Sequence, residues 1–138
     1  MLTVEVEYLT GVVRAGNDRG DAPDWPPQPD RLFSALVATW AARGEDATER
    51  RALEWLERQP PPRVLACARA APRTMVLVYV PPNDDRATSI TVLPERRRRQ
   101  ERRFPACVPD DPLVRLVWEA SPEPAIFDAL AALARDTS

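Results

Sequence analysis

Leu2–Tyr8, with the sequence LTVEVEY, alternates apolar and polar residues without a break. Because successive side chains of a β-strand point to opposite faces of a sheet, this period of two predicts a half-buried strand. The apolar set comprises Leu2, Val4, Val6 and Tyr8, and the polar set Thr3, Glu5 and Glu7. The first element of the fold is therefore a strand that needs other elements packed against one of its faces.

Two helices are predicted farther along the chain. The first covers about Asp30–Arg43, where apolar residues recur at helical spacing and Gly44 occupies a helix-stop position. The second follows Asp46, which forms a capping-box pattern with Glu49. Three consecutive prolines end it, since proline cannot continue a helix.

The proline-rich segment Pro23–Pro29, PDWPPQP, precedes the first helix. Proline fixes φ and lacks a backbone donor, so this segment can be neither helix nor central strand. We expect an ordered loop anchored by Trp25.

The second half of the chain combines strands, a long loop and a helix. Strand-like runs at Arg63–Ala70 and Arg73–Val80 are separated only by Ala71-Pro72, which allows a tight hairpin or one long bent strand. A loop rich in proline, acid and arginine is expected over about residues 81–112, interrupted by a short strand-like piece at Ser89–Leu93. A strand at Leu113–Trp118 and an amphipathic helix complete the pattern.

The order of these elements predicts an α+β fold. It matches the β-α-β-β-α-β order of ferredoxin-like domains with the last strand absent. We therefore expect residues 1–138 to form a single, incomplete ferredoxin-like module with a long Arg-rich insertion loop. The chain is interpreted as an N-terminal fragment, or as a subunit that another chain completes.

Composition excludes several kinds of chemistry. All 19 basic residues are arginine and the chain contains no histidine. Histidine general bases, His-ligated metals and lysine Schiff bases therefore cannot be built from it. No apolar run approaches the length of a membrane helix and no signal peptide is expected, so a cytoplasmic location is predicted. Cys67 and Cys107 have no paired spacing and are expected to be buried structural thiols.

The positive charge is concentrated in one segment. Residues 96–103 read RRRRQERR, six Arg minus one Glu, or +5, so the remainder of a chain of net charge −2 sums to −7. Arginine binds phosphate in a bidentate manner and stacks on unpaired bases. The alternative interpretation is a solvated charge run, or one paired with the acidic remainder.

The sequence resembles a CRISPR-associated family of the RAMP superfamily. The resemblance rests mainly on residues 24–38, DWPPQPDRLFSALVA, with support from YLTG at residues 8–11, LPE at 93–95 and VPDDPL at 108–113. That family is the fused subunit of type I-G (formerly I-U) effector complexes, in which a module binding the crRNA 5′ handle precedes a crRNA-processing module. No counterpart of the processing module is present in these 138 residues.

The resemblance implies a ferredoxin-like RNA-binding fold that caps the 5′ end of crRNA in a Cascade-like complex. The implied partners are crRNA and the backbone and large subunits, with target DNA contacted indirectly and no membrane involved. No cofactor, metal or catalytic residue is expected. The candidate RNA-binding residues are Arg14, Arg19, Trp25, Arg31, Arg96, Arg97, Arg98, Arg99, Arg102 and Arg103.

Each candidate outside the basic segment has a structural alternative. Arg14 and Arg19 lie in a glycine-containing loop, where a phosphate can approach, or are ordinary surface residues. Trp25 could stack a base, but anchoring the proline loop on the core is favoured. Arg31 could reach RNA, but pairing with Asp24 or Asp30 is slightly favoured. The adjacent acids Asp84-Asp85 and Asp110-Asp111 are interpreted as turn formers rather than metal ligands.

The leading hypothesis is a non-catalytic crRNA-binding subunit of a type I-G CRISPR complex, acting in antiviral defence. One alternative is a crRNA endoribonuclease whose catalytic half is missing from these residues. Another is a protein-interaction module whose arginine run docks on an acidic partner.

Overall fold

The structure is a computed structural model that describes residues 1–17, 19–74, 76–80 and 100–137. The predicted α+β class is confirmed. The helices are α1 (Pro29–Ala42), α2 (Ala47–Glu57) and α3 (Pro124–Asp136). The strands are β1 (Leu2–Glu7), β2 (Arg63–Leu65), β3 (Ala70–Pro72), β4 (Val76–Val80), β5 (Gln100–Phe104), β6 (Cys107–Pro109) and β7 (Leu113–Trp118).

The main sheet has three strands in the order β1-β7-β2, and both pairings are antiparallel. In this register Val4 and Val64 both lie opposite Leu116. Because β1 and β2 each run antiparallel to β7, they run parallel to one another with β7 between them. The two strands are connected through α1 and α2.

The core lies between this sheet and the three helices. Directly opposite residues share a face of a sheet, so the alternation predicted for β1 continues across β7. Leu36, Leu116 and Leu133 are among the largest fully buried side chains. On the other face, Glu5 lies opposite Arg115, and Arg115 Nε donates to Glu5 Oε1 at 2.7 Å. The core cluster joins Leu2, Leu36, Ala52, Leu53, Leu56, Val114, Leu116, Trp118, Ile126, Ala129, Leu130 and Leu133.

The prediction for residues 63–80 was wrong in its connectivity. The two strand-like runs form neither a hairpin with each other nor one long strand. Instead β2 pairs with β7, β3 with β6, and β4 with β5, so the segment contributes to three separate sheets. Strand propensity found the β-forming residues, but pairing depends on contacts that are distant in sequence.

The predicted loop over residues 81–112 is also corrected at its C-terminal end. Residues 100–104 and 107–109 form β5 and β6. Arginine is compatible with a strand that is exposed to solvent, and β5 gains its backbone partners from β4. The strand predicted at Ser89–Leu93 lies outside the described residues.

The two cysteines are free. The expected burial is confirmed for Cys107, which is 1% exposed, whereas Cys67 is only partly buried. Burial raises the pKa of the Cys107 thiol above its usual value. Cys107 is therefore protonated at neutral pH. None of the helices in the described ranges is long and apolar enough to cross a membrane.

Asp46 caps α2 as predicted. Its Oδ1 accepts hydrogen bonds from the backbone N–H groups of Thr48 and Glu49, at 2.8 and 3.0 Å. These bonds lower the pKa of the Asp46 carboxyl below its usual value. The Glu49 side chain pairs with Arg43 instead, with Arg43 Nη2 at 2.8 Å from Glu49 Oε1.

We expect Asp46→Ala to lower the melting temperature by about 3–5 °C at pH 7, because two helix N–H groups lose their acceptor. A carboxyl whose pKa is lowered by folding stabilises the protein above its unfolded-state pKa, and that contribution is lost as the pH falls through the folded-state value. The difference between Asp46→Ala and the wild type should therefore shrink below about pH 4. Thermal unfolding at several pH values measures this.

Asp30→Ala is the matched control, since Asp30 lies in the first turn of α1, a helix without a side-chain cap. Equal effects of the two substitutions, or an Asp46→Ala effect that does not change with pH, would contradict a capping role.

Candidate nucleic-acid interface

Residues 100–103, the part of the basic segment that the structure describes, lie in β5. Strand β5 pairs with β4 in a two-stranded sheet, which we call the β4–β5 ribbon (residues 76–80 and 100–104). Arg102 lies opposite Val78, and Arg103 opposite Leu77. The ribbon is a sheet of its own, separate from the main sheet in the described structure. Two predicted RNA-binding residues thus lie on a regular strand rather than in an irregular loop.

The ribbon exposes apolar and aromatic side chains next to arginine. Tyr79 is 55% exposed and Phe104 59% exposed. Tyr79 lies opposite Glu101, which is two residues from Arg103, so Tyr79 and Arg103 share one face of the ribbon. Phe104 and Arg102 are two residues apart on β5 and share the other face. Each face therefore combines an aromatic ring with a guanidinium group, the pairing that binds unstacked bases and the phosphates between them.

Arg103 is held only loosely within the ribbon. Its Nε donates to Glu101 Oε1 at 2.9 Å, and both side chains are largely exposed, 58% and 43%. An exposed ion pair of this kind contributes about 0–1 kcal/mol. A phosphate can therefore replace the Glu101 carboxylate at little cost.

The predictions for Arg96, Arg97, Arg98 and Arg99 lie outside the described residues, as does the acidic pair Asp84-Asp85. They remain predictions from the sequence.

Arg14 and Arg19 occupy different parts of the loop between β1 and α1. Arg14 follows Val13, which exchanges two backbone hydrogen bonds with Cys107, at 2.9 and 3.0 Å. Arg19 precedes Gly20, whose N–H donates to Asn17 O at 2.8 Å and whose φ is +67°. Arg14 is thus anchored beside β6, whereas Arg19 lies at an exposed turn. The structure does not bring them into a common cleft among the described residues.

Two residues that no sequence motif singled out lie beside Arg14. Arg73 and Phe104 line a cleft with Arg14 and Thr74. Phe104 follows the arginine run directly, and an aromatic residue next to a basic run is a sequence signal for nucleic-acid binding. No sequence signal marks Arg73, because its place beside Arg14 depends on the pairing of β3 with β6.

Trp25 anchors the proline loop, as favoured from the sequence. Its indole Nε1 donates to Cys67 O at 3.0 Å, and its ring meets Tyr8 edge-on with centroids 6.1 Å apart. Burial raises the pKa of the Tyr8 hydroxyl above its usual value. The indole is therefore engaged in packing, and base stacking by Trp25 stays a prediction.

Arg31 is also engaged within the chain. Its Nε donates to Asp24 Oδ2 at 2.8 Å, and its Nη2 donates to Gly16 O at 2.6 Å. Asp24 is only 9% exposed. Of the two predicted partners, the structure thus selects Asp24, and Arg31 joins the proline loop to the loop after β1. A contact between Arg31 and RNA stays a prediction.

The acidic residues that the structure describes form no candidate metal site. Among those residues there is no group of three or more His, Cys, Asp or Glu side chains that could hold a metal ion. Asp111 Oδ1 accepts from the Leu113 N–H at 3.0 Å, which is the turn-forming role expected of it. Asp110 lies 3.6 Å from Arg69 Nε.

The chain is similar to a known protein family. A family model described as CRISPR-associated protein, GSU0054 family, matches residues 3–136. The match therefore extends from β1 to the end of α3. No curated protein and no solved structure matches the chain.

Proposed function

Because the chain belongs to the GSU0054 family of CRISPR-associated proteins, we propose that it is a non-catalytic subunit of a type I-G, Cascade-like complex and binds the 5′ handle of crRNA. Membership of the family places the chain in CRISPR-based antiviral defence, together with other CRISPR components. The RNA ligand, the type of complex and the non-catalytic role are the proposed part.

The observation that carries the proposal is the β4–β5 ribbon. Strand β5 carries the last two arginines of the +5 basic segment, Arg102 and Arg103, and both are exposed. Tyr79 and Phe104 are exposed on the same ribbon. Proteins that bind single-stranded RNA combine cationic groups that contact the phosphates with aromatic rings on which the bases stack. Protein interfaces are also enriched in arginine and aromatic residues, so the RNA titration below separates RNA from an acidic protein partner.

The main sheet supports the ferredoxin-like part of the proposal. Strands β1 and β2 run parallel on either side of β7, with α1 and α2 in the connection between them. This is the split β-α-β arrangement that ferredoxin-like domains contain.

The non-catalytic part rests on composition. Attack by a ribose 2′-OH is usually assisted by a histidine general base, and this chain has none. Incubation with labelled repeat RNA tests it directly. We expect no cleavage, and cleavage at a defined position would overturn this part of the proposal.

RNA binding is tested by titrating short single-stranded RNA across a salt series. If four to six arginines each neutralise a phosphate, the plot of log K against log salt should have a slope of roughly −3 to −4. Replacing Arg98 and Arg99 by serine should make the slope shallower by about 1.4, which weakens binding about tenfold at about 0.15 M salt.

The matched control replaces Arg50 and Arg51, two exposed arginines of α2, by serine. The control removes the same charge but should leave the slope unchanged. No binding by the wild type, or equal losses in the two variants, would overturn the assignment of RNA to the basic segment.

A further inference from the structure

The cleft beside the ribbon has the size and composition of a nucleotide site. It has a volume of about 670 Å³, and its described lining consists of Arg14, Arg73, Thr74 and Phe104. Ligand pockets in proteins usually enclose about 300–1,000 Å³. The cleft can therefore admit one nucleotide of a larger strand.

Backbone hydrogen bonds bring the cleft together from three parts of the chain. Arg73 N–H donates to Ala106 O at 2.8 Å, two residues after Phe104. Arg14 is held by the bonds between its neighbour Val13 and Cys107. The segment 104–107 thus lies between Arg14 and Arg73, so the positions of both arginines are set by the main chain.

A close contact with Gly16 supports this placement. A Cβ on Gly16 would lie 3.1 Å from Cγ of Pro105, the residue after Phe104. The loop that carries Arg14 therefore packs tightly on the connection between β5 and β6. The side chains of the cleft are presented by a packed backbone.

The functional groups of the cleft are available to a ligand. The Phe104 side chain is 59% exposed. Arg14 and Arg73 are exposed, and among the described residues neither guanidinium forms an ion pair or a side-chain hydrogen bond. An exposed ring next to two exposed guanidinium groups fits a ligand that joins an aromatic face to negative charge.

We propose that this cleft binds one unpaired nucleotide of single-stranded RNA, with its base stacked on Phe104 and its flanking phosphates held by Arg14 and Arg73. A duplex does not fit these requirements, because its base faces are covered by neighbouring base pairs. The inference rests on the proposed function and adds a specific site to it.

The test compares two ligands of equal length, a ten-nucleotide single-stranded RNA and the same ribose-phosphate chain without bases. The wild type should prefer the RNA, since stacking adds about tenfold or more in affinity for each base. Phe104→Leu should lower the ratio of the two affinities about tenfold, because leucine keeps apolar bulk but has no aromatic face. Phe104→Tyr should retain it.

Phe127→Leu is the matched control, since Phe127 is 50% exposed on α3 and does not line the cleft. It should leave the preference unchanged. Arg73→Gln should weaken binding of both ligands and make the plot of log K against log salt shallower by about 0.7. Arg135→Gln should change neither, since Arg135 is an exposed arginine in the last turn of α3 and does not line the cleft. Circular dichroism of each variant checks its folding, and Arg73→Gln tests the cleft independently of Phe104.

The outcomes separate the two proposals. If the wild type binds neither ligand, both the proposed function and the cleft assignment are overturned. If the wild type binds through Arg98 and Arg99, but Phe104→Leu keeps the full preference or Arg73→Gln keeps the full slope, only the cleft assignment is overturned. The expected losses in both cleft variants, without losses in the controls, would establish it.

Discussion

Replacing Leu36 by alanine should lower the free energy of unfolding by about 3 kcal/mol. Leu36 is 1% exposed and lies in α1 within the cluster between the helices and the main sheet. Truncation removes buried methyl groups and leaves a cavity that the surrounding elements can fill only in part. The loss is a large share of the 5–15 kcal/mol that stabilises a typical domain. Urea unfolding followed by circular dichroism measures it.

Two further variants define the cause of this loss. Leu9→Ala makes the same chemical change at a side chain that is 88% exposed, and should cost less than about 0.5 kcal/mol. Leu36→Met conserves most of the volume and should cost less than about 1.5 kcal/mol. Equal losses in Leu36→Ala and Leu9→Ala would show that α1 does not pack on the sheet as described.

Replacing Arg31 by glutamine should cost about 2 kcal/mol of stability. The substitution removes the donor 2.8 Å from Asp24 Oδ2 and the donor to Gly16 O, and leaves the nearly buried Asp24 carboxylate without its cation. Hydrogen bonds to charged groups contribute about 1.5–3 kcal/mol, and Arg31 is itself 45% exposed, which moderates the loss. Equilibrium unfolding in urea again provides the measurement.

The control for Arg31→Gln is Arg50→Gln, which breaks the surface ion pair between Arg50 and Glu54. That pair is exposed on both sides, so its loss should be about 0.3–0.5 kcal/mol. Asp24→Asn combined with Arg31→Gln should be less destabilised than the sum of the single changes, with a coupling of about 1 kcal/mol. Additive single effects would argue against the ion pair as the source of the stability.

Much of the secondary structure could be predicted because its signals are local. The alternation at Leu2–Tyr8 produced β1, and the apolar spacing and Gly44 placed α1 within one residue of Pro29–Ala42. Asp46 and Glu49 located the start of α2, although Glu49 pairs with Arg43 rather than completing the capping box. In each case the determining interaction spans only a few residues.

The candidate site was predictable only in part. The sequence predicted that the arginines at 96–103 bind RNA, which stays a prediction, and the structure adds that Arg102 and Arg103 belong to a ribbon. It also indicated Arg14, but not the neighbours that make Arg14 part of a cleft. For Trp25 and Arg31 the sequence left two roles open, and the contacts with Cys67 O and Asp24 supply the structural ones.

The sequence by itself determined which segments are amphipathic, the bounds of α1 to within one residue, the start of α2, and that every side-chain cation is a guanidinium. Only the tertiary structure decided that residues 63–80 divide among three sheets and that Arg14, Arg73 and Phe104 meet. The physical reason is the range of the interactions. Periodicity and capping act within one or two turns, whereas strand partners are chosen by backbone hydrogen bonds between residues that are distant in the chain.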